Sequence, residues 1–174
     1  MKYWVVVLIL LVACKMDSDK AIDREKFTFK TGDDTEIFFK NIRQSDYELE
    51  ENTAAKFNVF RHEDRLEDVA PAINLAIVIN YLQDEAYLLV ETSEDLRQQE
   101  EIMVETTSGS EIVLSNFSKE GMLEFATQIY EHILKDDQFY VIINNAKKPI
   151  LDAPSIREAF RISVSDYYRL TRIY

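Results

Sequence analysis

Apolar side chains fall at every second position through Ile73, Leu75, Ile77, Ile79 and Tyr81, separated by Asn74, Ala76 and Asn80. A period of two, rich in β-branched residues, predicts a strand, because alternate side chains face one side of a sheet. Pro71 keeps a second reading open for residues 72–82, a helix that uses the proline as its first residue. Residues 86–91 predict a strand, and 102–105 and 111–114 flank Thr107-Ser108-Gly109-Ser110 as a hairpin. Another hairpin is expected across 27–40, turning at Thr31-Gly32-Asp33-Asp34, while residues 44–56 read as acidic and irregular. Short strands are expected over 57–61 and 139–143, the latter leading through a turn at 144–148 to a shorter partner, Ile150-Leu151.

Two stretches carry the helical period instead. Met122, Phe125, Ala126, Ile129, Tyr130 and Ile133 are spaced by three and four, which predicts a helix near 118–135 capped by Asn116 or Ser118. Pro154 opens a C-terminal helical segment through Ile156, Phe160, Val164 and Tyr167, with a break expected near 163–165. Strands, a helix, a strand pair and a final helix predict an α+β fold. Its expected form is an antiparallel sheet with two or three helices on one face, in a single domain over 27–174.

The first residues follow neither period. After Lys2, every side chain from Trp4 to Ala13 is apolar. Ten residues make a helix of roughly 15 Å, about half the thickness of a bilayer core, so the run suits the core of a secretory signal rather than a membrane span. It closes on Leu11-Val12-Ala13-Cys14, the only cysteine in the chain. That tetrapeptide resembles the lipobox of bacterial lipoproteins, with leucine three residues before the cysteine and a small residue just ahead of it. The resemblance covers residues 1–14 and implies diacylglyceryl attachment to the Cys14 thiol, cleavage before it and acylation of the new amino terminus. Lys15, where an aspartate would resemble an inner-membrane retention signal, points to the outer membrane. Lys15, Asp17 and Asp19 also resemble, with interruptions at Met16 and Ser18, the lysine-then-acid pattern of surface-exported lipoproteins. The expected location is therefore the cell envelope, facing the periplasm or exposed at the surface. Residues 14–26 read as the lipidated cysteine and a charged tether.

Loss of residues 1–13 leaves 161 residues with 19 basic and 32 acidic side chains, a net charge of −13. Such a surface repels nucleic-acid backbones and anionic headgroups and favours a partner with a basic surface. With Cys14 lipidated, no thiol remains for a disulfide, an iron–sulfur cluster or a zinc thiolate site. No cofactor is expected. The three glycines, Gly32, Gly109 and Gly121, are too scattered for a phosphate-cradling loop. His62 and His132 lack metalloprotease spacing, and His132 falls near the polar flank of its helix, where solvent exposure is expected. Asp33, Asp34 and Glu36 lack the alternating ligands and terminal glutamate of a calcium loop. Neither a serine elbow nor a cysteine nucleophile is present.

Two stretches stand out as surface. Residues 84–105 hold eight acids against Arg97 alone, among them Glu91, Glu94, Asp95, Glu100, Glu101 and Glu105. Near the C-terminus Arg169 and Arg172 alternate with tyrosines ending at Tyr174, residue types that interfaces favour. These nine residues form the expected partner-binding set, with 91–105 as an exposed loop. The function expected from the sequence is a membrane-anchored lipoprotein that presents an acidic α+β domain to a protein partner. An immunity-type inhibitor of a basic toxin is one form of it. The alternative is an accessory enzyme or binding protein acting on cell-wall or glycan substrates.

Overall fold

The computed structural model describes residues 22–174 apart from positions 53, 55 and 68. The signal peptide, Cys14 and the first part of the tether lie outside the described residues. Eight strands form two four-stranded antiparallel sheets where one sheet was expected. The first takes β1 (Tyr47–Asn52), β2 (Phe57–His62), β3 (Ile73–Asn80) and β4 (Glu85–Thr92) in chain order. The second takes β5 (Ile102–Thr106), β6 (Glu111–Leu114), β7 (Phe139–Ile143) and β8 (Ala146–Ile150) in the order β6-β5-β7-β8. Four helices complete the fold: α1 (Asp33–Phe38), α2 (Glu94–Arg97), α3 (Lys119–Leu134) and α4 (Pro154–Leu170). The protein is α+β.

Residues 73–80 form a strand, not a helix. Ile73, Leu75, Ile77 and Ile79 line the helix-facing side, and register sets Phe60 opposite Ile77 and Ile77 opposite Leu88. On the other side Val59 pairs with Val78, and Ala76 with Leu89, in a smaller apolar cluster. β3 is thus buried on both faces, as a central strand between two neighbours should be. α3 joins the two sheets by packing against β4 and β6, and α4 packs on α3 and across β2, β3 and β4. All six residues of the expected apolar stripe on α3 are buried. Ser118 supplies the cap, its Oγ accepting from the Gly121 amide at 3.1 Å, while Asn116 Oδ1 accepts from the Ser118 amide. α4 runs unbroken through 163–165, because Ser163 turns its hydroxyl back to the Ala159 carbonyl at 2.9 Å and leaves the helix ladder intact.

Other expectations are corrected. The hairpin across 27–40 does not form. Residues 29–31 lie along the start of β4, with the Ala86 amide donating to the Phe29 carbonyl and the Thr31 amide to the Asp84 carbonyl. Gly32 to Asp34, read as a turn, begin α1, where Thr35 Oγ1 accepts from the Gly32 amide and the acids fall in the first turn. The helix continues as a π turn over Phe39–Arg43 that buries Phe39. β1 occupies part of the segment read as irregular: its four exposed positions, Glu48 to Glu51, hide the strand period, and only Tyr47 is buried. The turn before β8 is shorter than expected. Asn144 and Asn145 both take positive φ, 52° and 60°, as a two-residue hairpin turn requires, so the lysines join the strand. The packed chain also begins ahead of Phe27. Ile22 is buried, its amide donates to Glu131 at 3.1 Å, and Arg24 pairs with Glu131 and Glu124 of α3.

Candidate functional site

The expected partner-binding residues separate into three places. Glu91 and Glu105 are occupied within the molecule: Arg61 grips Glu91 through Nε and Nη2 at 2.8–3.0 Å, and Lys147 pairs with Glu105 at 2.8 Å. The acids between them stand freer. The 91–105 connection is not wholly a loop, since α2 forms within it and pins itself by the fully buried Leu96. Ser93 N-terminal to α2 shares a 2.5 Å hydrogen bond with Asp95. Glu94 reaches Arg97 only at 3.7 Å with its side chain 74% exposed, so solvent screens most of that attraction. Glu100 and Glu101 are exposed, and no ion pair is formed by either among the described residues.

Beside α2 lies an open groove of about 660 Å³ along the outer face of β3 and β4, lined among others by Arg61, Arg65, Leu89, Glu91, Arg97 and Phe117. Phe117 is 49% exposed, a large aromatic at the groove's edge. Arg61 and Arg65 are held by carboxylates on both sides, Glu50 and Glu91 for the first, Glu48 and Glu67 for the second. The groove is therefore a rigid, charge-balanced surface with an apolar floor, and the acids of α2 and of 100–101 stand beside it. Such a place suits a side chain from a partner docking against an acidic rim. Sequence reasoning missed Phe117; its one signal is a lone aromatic flanked by Ser115, Asn116 and Ser118, outside any apolar period.

Arg169, Arg172 and Tyr174 come together at a second groove of about 490 Å³, shared with Asp34, Phe38 and Tyr168. The arginines do not reach the acidic segment. Arg172 pairs with Asp34, and Arg169 lies 3.7 Å from Asp166. Tyr167 and Tyr168 are core residues, whereas Tyr174 is 57% exposed and shares a 2.5 Å hydrogen bond with Tyr130. Tyr168 stands at right angles to Tyr174 with ring centroids 5.3 Å apart, a favourable edge-to-face contact that ties down the C-terminus.

His132 is not solvent-exposed as expected. Its Nδ1 lies 2.7 Å from Asp137 Oδ2, and Asp137 also accepts from Thr107 Oγ1 at 2.9 Å and from the Ser108 amide and hydroxyl at 3.0 Å. Burial pushes the Asp137 carboxyl up, and the hydrogen bonds from His132, Thr107 and Ser108 outweigh it, holding the pKa down at about 2. A histidine, a serine and an aspartate meet here, yet the serine hydroxyl bonds the carboxylate and not the imidazole. Nothing in that arrangement withdraws the hydroxyl proton, so the cluster fastens the β5–β6 turn to the end of α3 and does not activate a nucleophile. Among the described residues, no three histidine, aspartate or glutamate side chains are placed to hold a metal ion. Among the same residues, no helix is long and apolar enough to cross a membrane.

The fold and its surface define an acidic α+β domain with two open grooves and a hydrogen-bonded His–Asp fastening. Compared with known protein families, curated proteins and solved structures, the chain matches none.

Proposed function

We propose that this protein is a lipid-anchored binding module of the bacterial cell envelope, tethered through Cys14 and offering its acidic pole at α2 to a protein partner with a basic surface. One observation carries the binding half: Glu94, Glu100 and Glu101 remain exposed and weakly paired beside a groove edged by Phe117, while neighbouring Glu91 and Glu105 are neutralised within the molecule. A domain using acids for solubility alone has no need of an aromatic-edged groove among them, and charge on such a rim steers a basic partner into place. An immunity-type inhibitor of a cationic toxin is one form of this function.

The anchoring half rests on the lipobox and is tested directly. Cells fed labelled palmitate should yield the labelled protein in the membrane fraction, and Cys14→Ser should lose the label and leave the precursor uncleaved. A Cys14→Ser protein that is processed and released like the parent contradicts the anchor. The binding half is tested by removing the charges of the acidic pole.

A further inference from the structure

Where the chain leaves the folded domain limits which face can turn toward the membrane. Between Cys14 and Ile22 there are eight residue steps, a reach of at most about 29 Å whatever their conformation. Ile22 is fixed to Glu131 of α3, the next residue after Tyr130, which holds the Tyr174 hydroxyl. The tether therefore leaves beside the groove at the C-terminus. The acidic pole is elsewhere: residue 30 bridges to Glu85 at the start of β4, and α2 follows the strand's other end, seven residue steps or about 23 Å away.

The surface near the exit differs from the rest of the domain. Phe38 and Ile42, one helical turn apart, are 44% and 57% exposed, next to Ile37 at 58%. Phe38 shares the groove with Tyr174, Arg169 and Arg172, and Lys40 stands exposed between the two apolar side chains in sequence. Asp34 is on the same helix but is paired with Arg172. Apolar and aromatic tips among cations are the composition that settles into a headgroup layer.

From these observations we infer that the ridge of Phe38 and Ile42, with Tyr174, Lys40, Arg169 and Arg172 around it, rests on the phospholipid bilayer to which Cys14 holds the domain, a contact that depends on the anchor proposed above. The net charge of −13 opposes contact with an anionic bilayer over the surface as a whole, and this ridge is where the surface departs from that average. Affinity for lipid need not be high. A tether this short keeps the ridge at a millimolar-range effective concentration relative to the bilayer, so weak contacts suffice to orient the domain. Docking in this way turns α2 and its groove outward.

Trp4 is the only tryptophan and precedes Cys14, so the lipidated chain has none and a single introduced tryptophan reports alone. The test uses full-length lipidated protein, its lipidation verified by mass, in vesicles of phosphatidylethanolamine with a minor share of phosphatidylglycerol. Phe38→Trp should be quenched by lipids brominated near the headgroup at least about twofold more than Gln98→Trp at the acidic pole, with blue-shifted emission. Equal quenching at the two positions overturns the docking while leaving the anchor intact. Shielding of the Phe38→Trp indole from aqueous acrylamide without bromolipid quenching also overturns it, and assigns the ridge to a second copy or another protein. Absence of lipid on the protein overturns the anchor and the docking together.

Discussion

Asp166→Ala should destabilise the domain by about 3 kcal/mol, which for a chain of this size lowers Tm by roughly 10 °C. Asp166 is 2% exposed on the buried face of α4. Its carboxylate takes Arg43 Nε at 2.9–3.0 Å from the π turn and the Tyr47 hydroxyl at 2.9 Å from β1. Three elements with little else in common are fastened at this point. Removing the carboxylate leaves a half-buried guanidinium with only Asp46, at 2.9 Å, and a buried phenol without its acceptor. Leaving a buried charge half-paired is what makes such truncations severe; the intact pair is close to neutral against an apolar replacement. The triple substitution Arg43→Met, Tyr47→Phe and Asp166→Leu should therefore lose less stability than Asp166→Ala alone. Urea unfolding of both variants decides the matter, and a single-site loss below about 1 kcal/mol would show that the cluster does not hold these elements together.

Gly121→Ala should cost about 3 kcal/mol or more, against the ordinary rule for helices. Gly121 lies in the first turn of α3, where alanine is normally preferred by about 1 kcal/mol. Here a Cβ would stand 2.1 Å from the Asn116 carbonyl oxygen and 3.1 Å from its carbon. The obstacle is backbone, so no rotamer relieves it. Either the entry to α3 shifts or the Ser118 cap is lost. Serine at this position should be no better. Thermal unfolding of Gly121→Ala that matches or exceeds the parent would show that the chain before α3 moves aside without cost.

How much of this was legible follows from what each segment owes to its own sequence. α3 was readable because cap and apolar stripe both lie within it, and β4 and the β5–β6 hairpin because strand period and turn residues agree. α1 was misread because Thr31-Gly32-Asp33-Asp34 suits a helix start as well as a turn, and only its contact with α4 decides: Thr35 Oγ1 donates to the Leu170 carbonyl, and Arg172 pairs with Asp34. β1 was hidden because an edge strand with one buried residue carries almost no period. Likewise, the Asp166 cluster unites residues 119 and 123 positions apart, and nothing local marks them as partners. For the candidate site, the acids were legible as composition. Which of them stay free was not, because Arg61 and Lys147 reach them from other strands.

The acidic pole is the centre of the proposed function, and charge removal without loss of shape tests it. Glu94, Asp95, Glu100 and Glu101 changed together to Gln should leave thermal stability nearly unchanged, since Leu96 and not the carboxylates pins α2. Salt screens exposed charge within a Debye length of about 8 Å at physiological strength, so rim carboxylates act chiefly on association rate. The measurement is quantitative capture from a membrane extract by parent and variant, each at low and high salt, followed by association kinetics with the captured protein. The expected result is a basic protein that the parent captures better at low salt, associating several-fold more slowly with the variant and with a flattened salt dependence. Recovery of the same proteins in the same amounts by both forms at both salt levels would contradict it.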